Sequence, residues 1–188
     1  MYPVLIEGPG LVLREVDSED TAAILAATAD PSALRHLPFK VMDDKAVADY
    51  LNELMDAAEE PERSLYPLAI VRRSDQQVMG LAQLTIESYL HRRAEIGYLL
   101  GPDYWGNGHG TEAVRLITEF GFDHLGLRRI FAIVATGNEA SRRLLEAQSF
   151  HREGTMRDQL LLGERWVDGD LYARVSTASP EPTSAEAP

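Results

Sequence analysis

Cysteine is absent from the 188 residues of this chain. Its absence excludes a disulfide framework, zinc sites built on thiolates and a catalytic cysteine. A chain without disulfides suits a reducing compartment, so we expect a cytoplasmic protein. The five histidines lack the spacing of metal ligands, and we therefore expect no metal site.

Long hydrophobic runs are also missing. No apolar stretch approaches the roughly 20 residues that a membrane-spanning helix needs. Residues 1–7 lack a basic segment followed by a long apolar core, which is the pattern of an export signal. The sequence therefore predicts a soluble protein with no membrane partner.

Basic residues are scarce relative to acidic ones. The chain has 18 lysines and arginines against 30 aspartates and glutamates, a formal net charge of −12. Nucleic-acid phosphates would be repelled by this charge, so no nucleic-acid partner is expected. A cationic substrate would suit it, although acidity can also serve solubility alone.

The residues that are present describe one ordinary folded domain. A hydrophobic content of 45% and a charged content of 26% fit a single domain long enough to bury a core. Beyond residue 175 the chain contains only Ser, Thr, Ala, Pro and Glu. We expect residues 176–188 to form a disordered tail.

The hydrophobic pattern alternates between strand-like and helix-like segments, which predicts an α/β fold. Strands are predicted at residues 11–14, 65–72, 78–87, 94–100 and 129–135, followed by a hairpin of 150–162 with 165–175. Helices are predicted from Asp17 or Ser18 to Ala29, from Asp43 or Asp44 to about residue 60, after the glycine loop at 106–110, and from Asn138 to about Ala147. Tyr98, Tyr172 and Trp166 are expected in the core.

Three alternate glycines, Gly106, Gly108 and Gly110, stand between a predicted strand and an amphipathic helix. Glycines at this spacing let backbone N–H groups converge, and the dipole of the helix N-terminus attracts a phosphate held there. The loop therefore predicts an anion cradle. A glycine-rich turn that only starts the helix is the alternative.

Two common phosphate-binding loops fit poorly. A Walker loop ends in Gly-Lys-Ser/Thr, whereas this loop continues as Gly110-Thr111-Glu112 without a lysine. A GxGxxG fingerprint needs its third glycine where Thr111 or Ala113 stands, so only the looser GxGxxA form survives.

Residues 105–110 resemble the R/Q-x-x-G-x-G/A signature of the GNAT acyl-CoA N-acyltransferases, except at the first position. Trp-Gly-x-Gly followed by Thr-Glu-Ala is similar to the branch of ribosomal-protein N-terminal (Rim-type) acetyltransferases and related antibiotic-modifying enzymes. Segments at 11–15, 94–98, 138–146 and 163–168 agree with that branch. The resemblance implies one GNAT domain over residues 8–175, with a central mixed, mostly antiparallel sheet flanked by helices.

The resemblance also implies acetyl-CoA as the acyl donor and an amine as the acceptor, without a metal. The pantetheine arm is expected to pair with the main chain of Leu99 and Leu100. The residues expected around the pyrophosphate are Trp105, Gly106, Asn107, Gly108, His109, Gly110 and Thr111.

Asn138 and Ser141 form a second candidate group at the start of one helix. From the residues alone, Asn-x-x-Ser at this place indicates a helix N-cap. The resemblance implies that Ser141 gives a proton to the departing CoA sulfur and that Asn138 contacts the pantetheine. Both roles are compatible, because an asparagine side chain has donor and acceptor groups.

Two glutamates are candidates for the general base. Glu95 lies on the strand before the loop, where the histone-type branch carries its base, and apolar surroundings would raise its pKa. Glu87 ends the preceding strand and is the competitor. For each glutamate, an exposed ion pair with Arg92 or Arg93 is the alternative, and ordered water can replace a protein base.

Together these features predict an N-acetyltransferase that moves an acetyl group from acetyl-CoA to a primary amine in a ternary complex. The acceptor is a protein N-terminus or a small aminated metabolite or antibiotic, and residues 34–42 are expected to form a partly hydrophobic wall of its pocket. A noncatalytic acyl-CoA-binding regulatory module is the alternative, since it would keep the cradle without the acid and base. The chain is expected to be a monomer or a homodimer.

Overall fold

The computed structural model describes residues 2–38 and 41–177, in which eight strands form a single mixed sheet. The strands are β1 Leu5–Glu7, β2 Leu11–Glu15, β3 Leu65–Arg72, β4 Val78–Ser88, β5 Arg93–Leu100, β6 Arg129–Ala135, β7 His151–Leu162 and β8 Arg165–Val175. The helices are α1 Thr21–Ala29, α2 Pro31–Leu34, α3 Asp44–Glu59, α4 His109–Asp123 and α5 Glu139–Ala147. Short 3₁₀ turns precede α1 and follow β5, at Ser18–Asp20 and Pro102–Tyr104.

The sheet has the order β1-β2-β3-β4-β5-β6-β8-β7. Its pairs are antiparallel except β5 with β6, which run parallel. That parallel pairing extends only from Arg93 opposite Arg129 to Glu95 opposite Phe131, and beyond it β5 and β6 are not paired with each other. The expected mixed, mostly antiparallel sheet flanked by helices is confirmed, and it opens in its middle.

Helices cover both faces of this sheet, because strand residues alternate between two apolar clusters. Leu68 and Ile70 of β3 pack with α4 residues such as Ile117, whereas Ala69 and Val71 pack with α1 and α3. Leu145 of α5 belongs to the α4 side. The two hydrophobic layers fix the sheet from both sides, and each buried aliphatic side chain contributes about 1.5–3 kcal/mol.

Capping residues explain where several helices begin. Asp43 accepts a hydrogen bond from the N–H of Ala46 at 2.8 Å, which starts α3 as predicted. Asp17 forms a capping box with Asp20, so the chain enters α1 through a 3₁₀ turn. Asp30 caps α2, and Pro31 therefore begins a further short helix as well as ending α1.

Several elements differ from the sequence prediction. The short edge strand β1 and the four-residue helix α2 were not expected, because neither is long enough to show a hydrophobic period. Trp166 is 60% exposed on β8, so its placement in the core was wrong, whereas Tyr172 is buried as expected. The boundaries 8–175 stay a prediction, and residues 178–188 of the predicted tail lie outside the described residues.

No helix within 2–38 and 41–177 combines the length and the apolar character that crossing a membrane requires.

Candidate active site

The glycine loop holds its backbone N–H groups free. Gly106 and Gly108 have φ of +76° and +80°, a left-handed conformation that side chains with a Cβ rarely adopt. Within the described part of the chain, none of the N–H groups of residues 106–111 donates a hydrogen bond. Helix α4 starts at His109, so these free donors lie at the positive end of its dipole, as an anion cradle requires.

Gly110 allows a close approach between three elements. A Cβ at this position would lie 2.8 Å from Leu144 Cδ1 and 3.4 Å from Leu100 Cδ1. The missing side chain therefore lets the start of α4 pack directly against α5 and the end of β5.

Trp105 and Glu112 fix the two ends of the loop. The indole Nε1 of Trp105 donates to the carbonyl oxygen of Leu100 at 2.8 Å, which ties the loop to the end of β5. Glu112 Oε1 accepts from the N–H groups of Gly10 at 2.8 Å and Leu11 at 3.2 Å. The start of α4 is thus held to both β5 and β2. The Leu100 carbonyl keeps a second lone pair for another donor.

The start of α5 faces the same space as the loop. The Oδ1 atom of Asn138 accepts from the N–H of Ser141 at 3.2 Å, so the predicted N-cap is confirmed. Both residues also line a cleft of about 710 Å³ together with Leu99, Leu100 and the glycine loop. The structure brings all the residues proposed for CoA binding to this cleft except Asn107, which is exposed and not among its lining residues.

Two arginines of the cleft were not anticipated. Arg143 of α5 and Arg35, just after α2, both line it. Arg142 is held by Glu139 and Glu146, whereas Arg143 forms no ion pair within the described residues. Arg143 therefore adds a positive charge to a cleft that also presents the free amides of the loop. No local signal separates Arg143 from Arg142 in the sequence, because Glu139 and Glu146 lie about one helical turn from both arginines.

Tyr98 places a hydroxyl group deep in the cleft. This hydroxyl is buried and has no hydrogen bond of good geometry within the described residues. Burial raises the pKa of Tyr98 to about 12, and the nearby Ser141 side chain opposes part of that rise. The sequence placed Tyr98 in the apolar core, because a tyrosine in a buried strand gives no sign of which cavity its hydroxyl reaches.

A second cavity of about 280 Å³ adjoins the cleft. Its lining includes Glu95 and shares His36, Leu37, Tyr98 and Leu99 with the first cleft. Glu95 and Tyr98 point to opposite faces of β5 because they are three residues apart in a strand. The residues that line the two cavities therefore lie on both faces of β5, beside the gap between β5 and β6.

The two candidate bases have different surroundings. Glu87 lies at the surface, pairs with Arg93 at 3.1 Å and lines neither cavity. Glu95 is half-buried and forms no ion pair within residues 2–38 and 41–177. Burial raises the pKa of the Glu95 carboxyl above its ordinary value, and the negative charge of Glu87 raises it further. The geometry favours Glu95 over Glu87 as a base.

His36 is a further residue at the junction of the two cavities. Burial lowers the pKa of His36, and the positive charge of Arg35 lowers it further, so the neutral imidazole is favoured. Phe39 and Lys40, which belong to the wall predicted over residues 34–42, lie outside the described residues. Leu37, Pro38 and Met42 of that segment line the second cavity.

A sheet opened between two central strands, with free N–H groups at a helix N-terminus beside the opening, fits an α/β acyl-CoA-dependent transferase. The acetyltransferase (GNAT) domain model matches residues 10–151, and the chain therefore belongs to the GNAT acetyltransferase family. This match supports an acetyltransferase over the alternative of a noncatalytic acyl-CoA-binding module.

The chain is 33% identical to the "Uncharacterized N-acetyltransferase YoaA" of Bacillus subtilis (strain 168), over 93% of this chain and 98% of the relative. Among solved structures, Mycobacterium smegmatis RimJ in complex with CoA-disulfide superposes with a TM-score of 0.83 at 26% identity, over 93% of this chain and 88% of the other. The spermidine N(1)-acetyltransferase of Escherichia coli (strain K12) is 29% identical over 49% of this chain and 50% of its own length. The structural neighbours thus include the Rim-type enzymes that the loop resembles, and a CoA-bound neighbour supports the use of acetyl-CoA.

Proposed function

We propose that the chain transfers an acetyl group from acetyl-CoA directly to a primary amine, with the donor in the larger cleft and the acceptor in the smaller cavity. The observation that carries this proposal is the shared wall of the two cavities at Tyr98 and Leu99. A thioester in one cavity and an amine in the other can meet there without leaving the protein.

The donor is held by main-chain groups. The free N–H groups of residues 106–111 fit the pyrophosphate, and Arg143 adds a positive charge at the same cleft. The end of β5 is unpaired towards β6, so the main chain of Leu100, which faces the gap, can pair with the pantetheine arm as with an added strand; the main-chain groups of Leu99 face β4 instead. RimJ with CoA-disulfide, a structural neighbour, supports this use of the fold.

The chemistry needs one base and one acid. Glu95 accepts a proton from the acceptor ammonium, and the neutral nitrogen then attacks the thioester carbonyl carbon. When the carbon–sulfur bond breaks, Ser141 gives its proton to the departing thiolate and takes up the second proton that the attacking nitrogen must lose to become the amide. Glu95 returns its proton to solvent after the products leave. Glu95 suits its role because its raised pKa brings it closer to that of an amine.

The remaining properties of the protein are proposed from its sequence. We propose a cytoplasmic monomer or homodimer that uses neither a metal nor a nucleic-acid partner. The absence of cysteine and the net charge of −12 support this description. Size-exclusion chromatography with light scattering measures the oligomeric state, and turnover that persists in EDTA would agree with a metal-free reaction.

Release of free CoA thiol from acetyl-CoA, measured with a panel of primary amines, tests the function. We expect Ser141→Ala to lower kcat about 100-fold, with little change in the Kd of CoA measured by calorimetry. Glu87→Gln is the matched control for Glu95→Gln, because it removes a nearby carboxylate that lines neither cavity. If the protein binds CoA tightly but releases thiol with none of the amines, a noncatalytic acyl-CoA-binding module is the better explanation.

A further inference from the structure

The acceptor cavity has mainly apolar walls. Side chains from both faces of the gap and from the α1 side form them: Ile24, Leu37, Pro38, Met42, Leu81, Ile96, Leu99, Ile133 and Leu160. Two of its neutral polar groups already have partners. Thr28 donates to the carbonyl oxygen of Ile24 at 2.9 Å, and Gln83 donates to the Thr85 hydroxyl at 3.3 Å.

Glu95 is the single carboxylate among the described residues that line this cavity. Glu87, the nearest other carboxylate along the sheet, pairs with Arg93 at 3.1 Å and lines neither cavity. One ammonium group can therefore be matched by one carboxylate. A second ammonium on the acceptor would meet aliphatic side chains and neutral polar groups such as those of Tyr50 and Thr85, without a second carboxylate among the described lining residues. A buried charge without a counter-charge is unfavourable.

We infer that the acceptor is a monoamine carried on an uncharged, mainly apolar body. This inference rests on the proposed function and names the substrate class for its acceptor cavity. A volume of about 280 Å³ limits that body to a small molecule or to one terminal residue of a peptide. The net charge of −12 alone would favour a polycation, but the lining of the cavity decides which amine reaches Glu95.

Hexylamine and 1,5-diaminopentane test the inference on the unmodified protein. The two have the same number of non-hydrogen atoms and differ at the far end, where one has a methyl group and the other an ammonium. We expect kcat/KM for hexylamine to exceed that for the diamine by about 100-fold, since the diamine loses the hydration of its second charge. Equal values, or a preference for the diamine, would overturn the inference.

Leu160→Glu makes the test independent of any difference in the solution properties of the two amines. Leu160 lines the cavity from β7, and a carboxylate there supplies the missing counter-charge. We expect the ratio of kcat/KM for the diamine to that for hexylamine to rise at least about tenfold. Leu161→Glu is the matched control, because Leu161 is 44% exposed on the same strand and does not line the cavity. An unchanged ratio in a Leu160→Glu protein that still binds CoA contradicts the inference.

Peptides distinguish the two sources of such an amine. A tripeptide that begins with leucine should react faster than the same tripeptide beginning with glutamate or lysine if the acceptor is a protein N-terminus. If hexylamine reacts and none of the three peptides does, the acceptor is a free amine. If the diamine or the charged peptides release thiol faster, only the monoamine inference is contradicted. If the protein binds CoA but releases no thiol with any probe, the proposed acetyltransferase function is contradicted as well.

Discussion

Tyr98 stands where the donor cleft meets the acceptor cavity, and its hydroxyl is buried without a partner in the described structure. An unsatisfied buried hydroxyl costs about 1–3 kcal/mol, so the folded chain tolerates a local loss of stability beside Ser141. We expect Tyr98→Phe to raise the free energy of unfolding by about 1 kcal/mol and to lower kcat about tenfold, because the hydroxyl lies beside Ser141 and can orient its proton-donating side chain.

Urea unfolding and steady-state kinetics measure the two effects separately. Tyr104→Phe is the matched control, since Tyr104 lines the same cleft and its hydroxyl is not among the buried unpartnered groups. In a Ser141→Ala background, Tyr98→Phe should have little further effect on kcat, as expected for two residues that act through one proton. If Tyr98→Phe is destabilised and its kcat is unchanged, Tyr98 contributes only to packing.

Glu95 gives the reaction a pH dependence of known direction. A base must be deprotonated, and burial together with Glu87 raises the pKa of Glu95, so kcat/KM should fall on the acidic side at a pH above that of an ordinary glutamate. We expect Glu95→Gln to lower kcat/KM by about 100-fold or more and to remove this acidic limb. Glu87→Gln should keep the limb but move it to lower pH. If the acidic limb persists in Glu95→Gln, the general base is His36 or water instead.

The raised pKa of Glu95 also predicts how stability depends on pH, because the ionised carboxylate that serves catalysis makes the folded state less stable. A carboxyl whose pKa is raised on folding binds its proton more tightly in the folded state, so the wild-type chain loses stability as the pH rises through that raised pKa. Glu95→Gln should therefore be more stable than wild type at neutral pH. The difference should disappear below the ordinary glutamate pKa, which thermal unfolding across pH can measure.

At the scale of elements, the sequence predicted best where a regular pattern coincides with a capping or turn residue. Helix α3 has Asp43 at its start and Val47, Leu51 and Leu54 on one face, and it was predicted almost to the residue. The prediction that Trp166 lies in the core was wrong because the β7–β8 hairpin leaves this face of β8 uncovered. Whether a strand face is covered depends on the neighbouring elements and not on the local alternation.

Helix α5 carries a prediction about donor affinity. Arg143 lines the cleft and forms no ion pair in the part of the chain that the structure describes, whereas Arg142 is held by two glutamates of the same helix. We expect Arg143→Ala to raise the Kd of CoA about tenfold at low salt and less at high salt, because screening weakens an exposed charge. Calorimetry at two salt concentrations measures this. Arg142→Ala, the neighbouring control, should leave the Kd unchanged, and equal effects of both variants would indicate a nonspecific loss of charge.

At the scale of the whole molecule, the candidate site lies at a break in the sheet. Five strands lie on one side and three on the other, and the β5–β6 pairing that joins them stops at Glu95 and Phe131. The glycine loop and the Asn138 cap could be found from the sequence, because each is a local signal. Two features depend on how far two distant strands diverge, which no local pattern contains: the proximity of Tyr98 to Ser141, and the shared cavity of Tyr98 and Glu95.

Because the donor is expected to lie in this break, CoA should join the two parts of the sheet. Binding to the folded state alone adds about 2.7 kcal/mol of stability at a ligand concentration of 100 times Kd, so the unfolding temperature should rise with CoA. Hydrogen exchange should slow at residues 106–111, whose N–H groups have no partner among the described residues, and at the end of β5 that has no β6 partner, where the main chain of Leu100 faces the gap. Inorganic pyrophosphate is the control: it fills only the cradle and should protect residues 106–111 without protecting β5. If CoA leaves the exchange at residues 106–111 unchanged, the cradle does not hold the pyrophosphate; if pyrophosphate alone protects β5 equally, the pantetheine arm does not pair there.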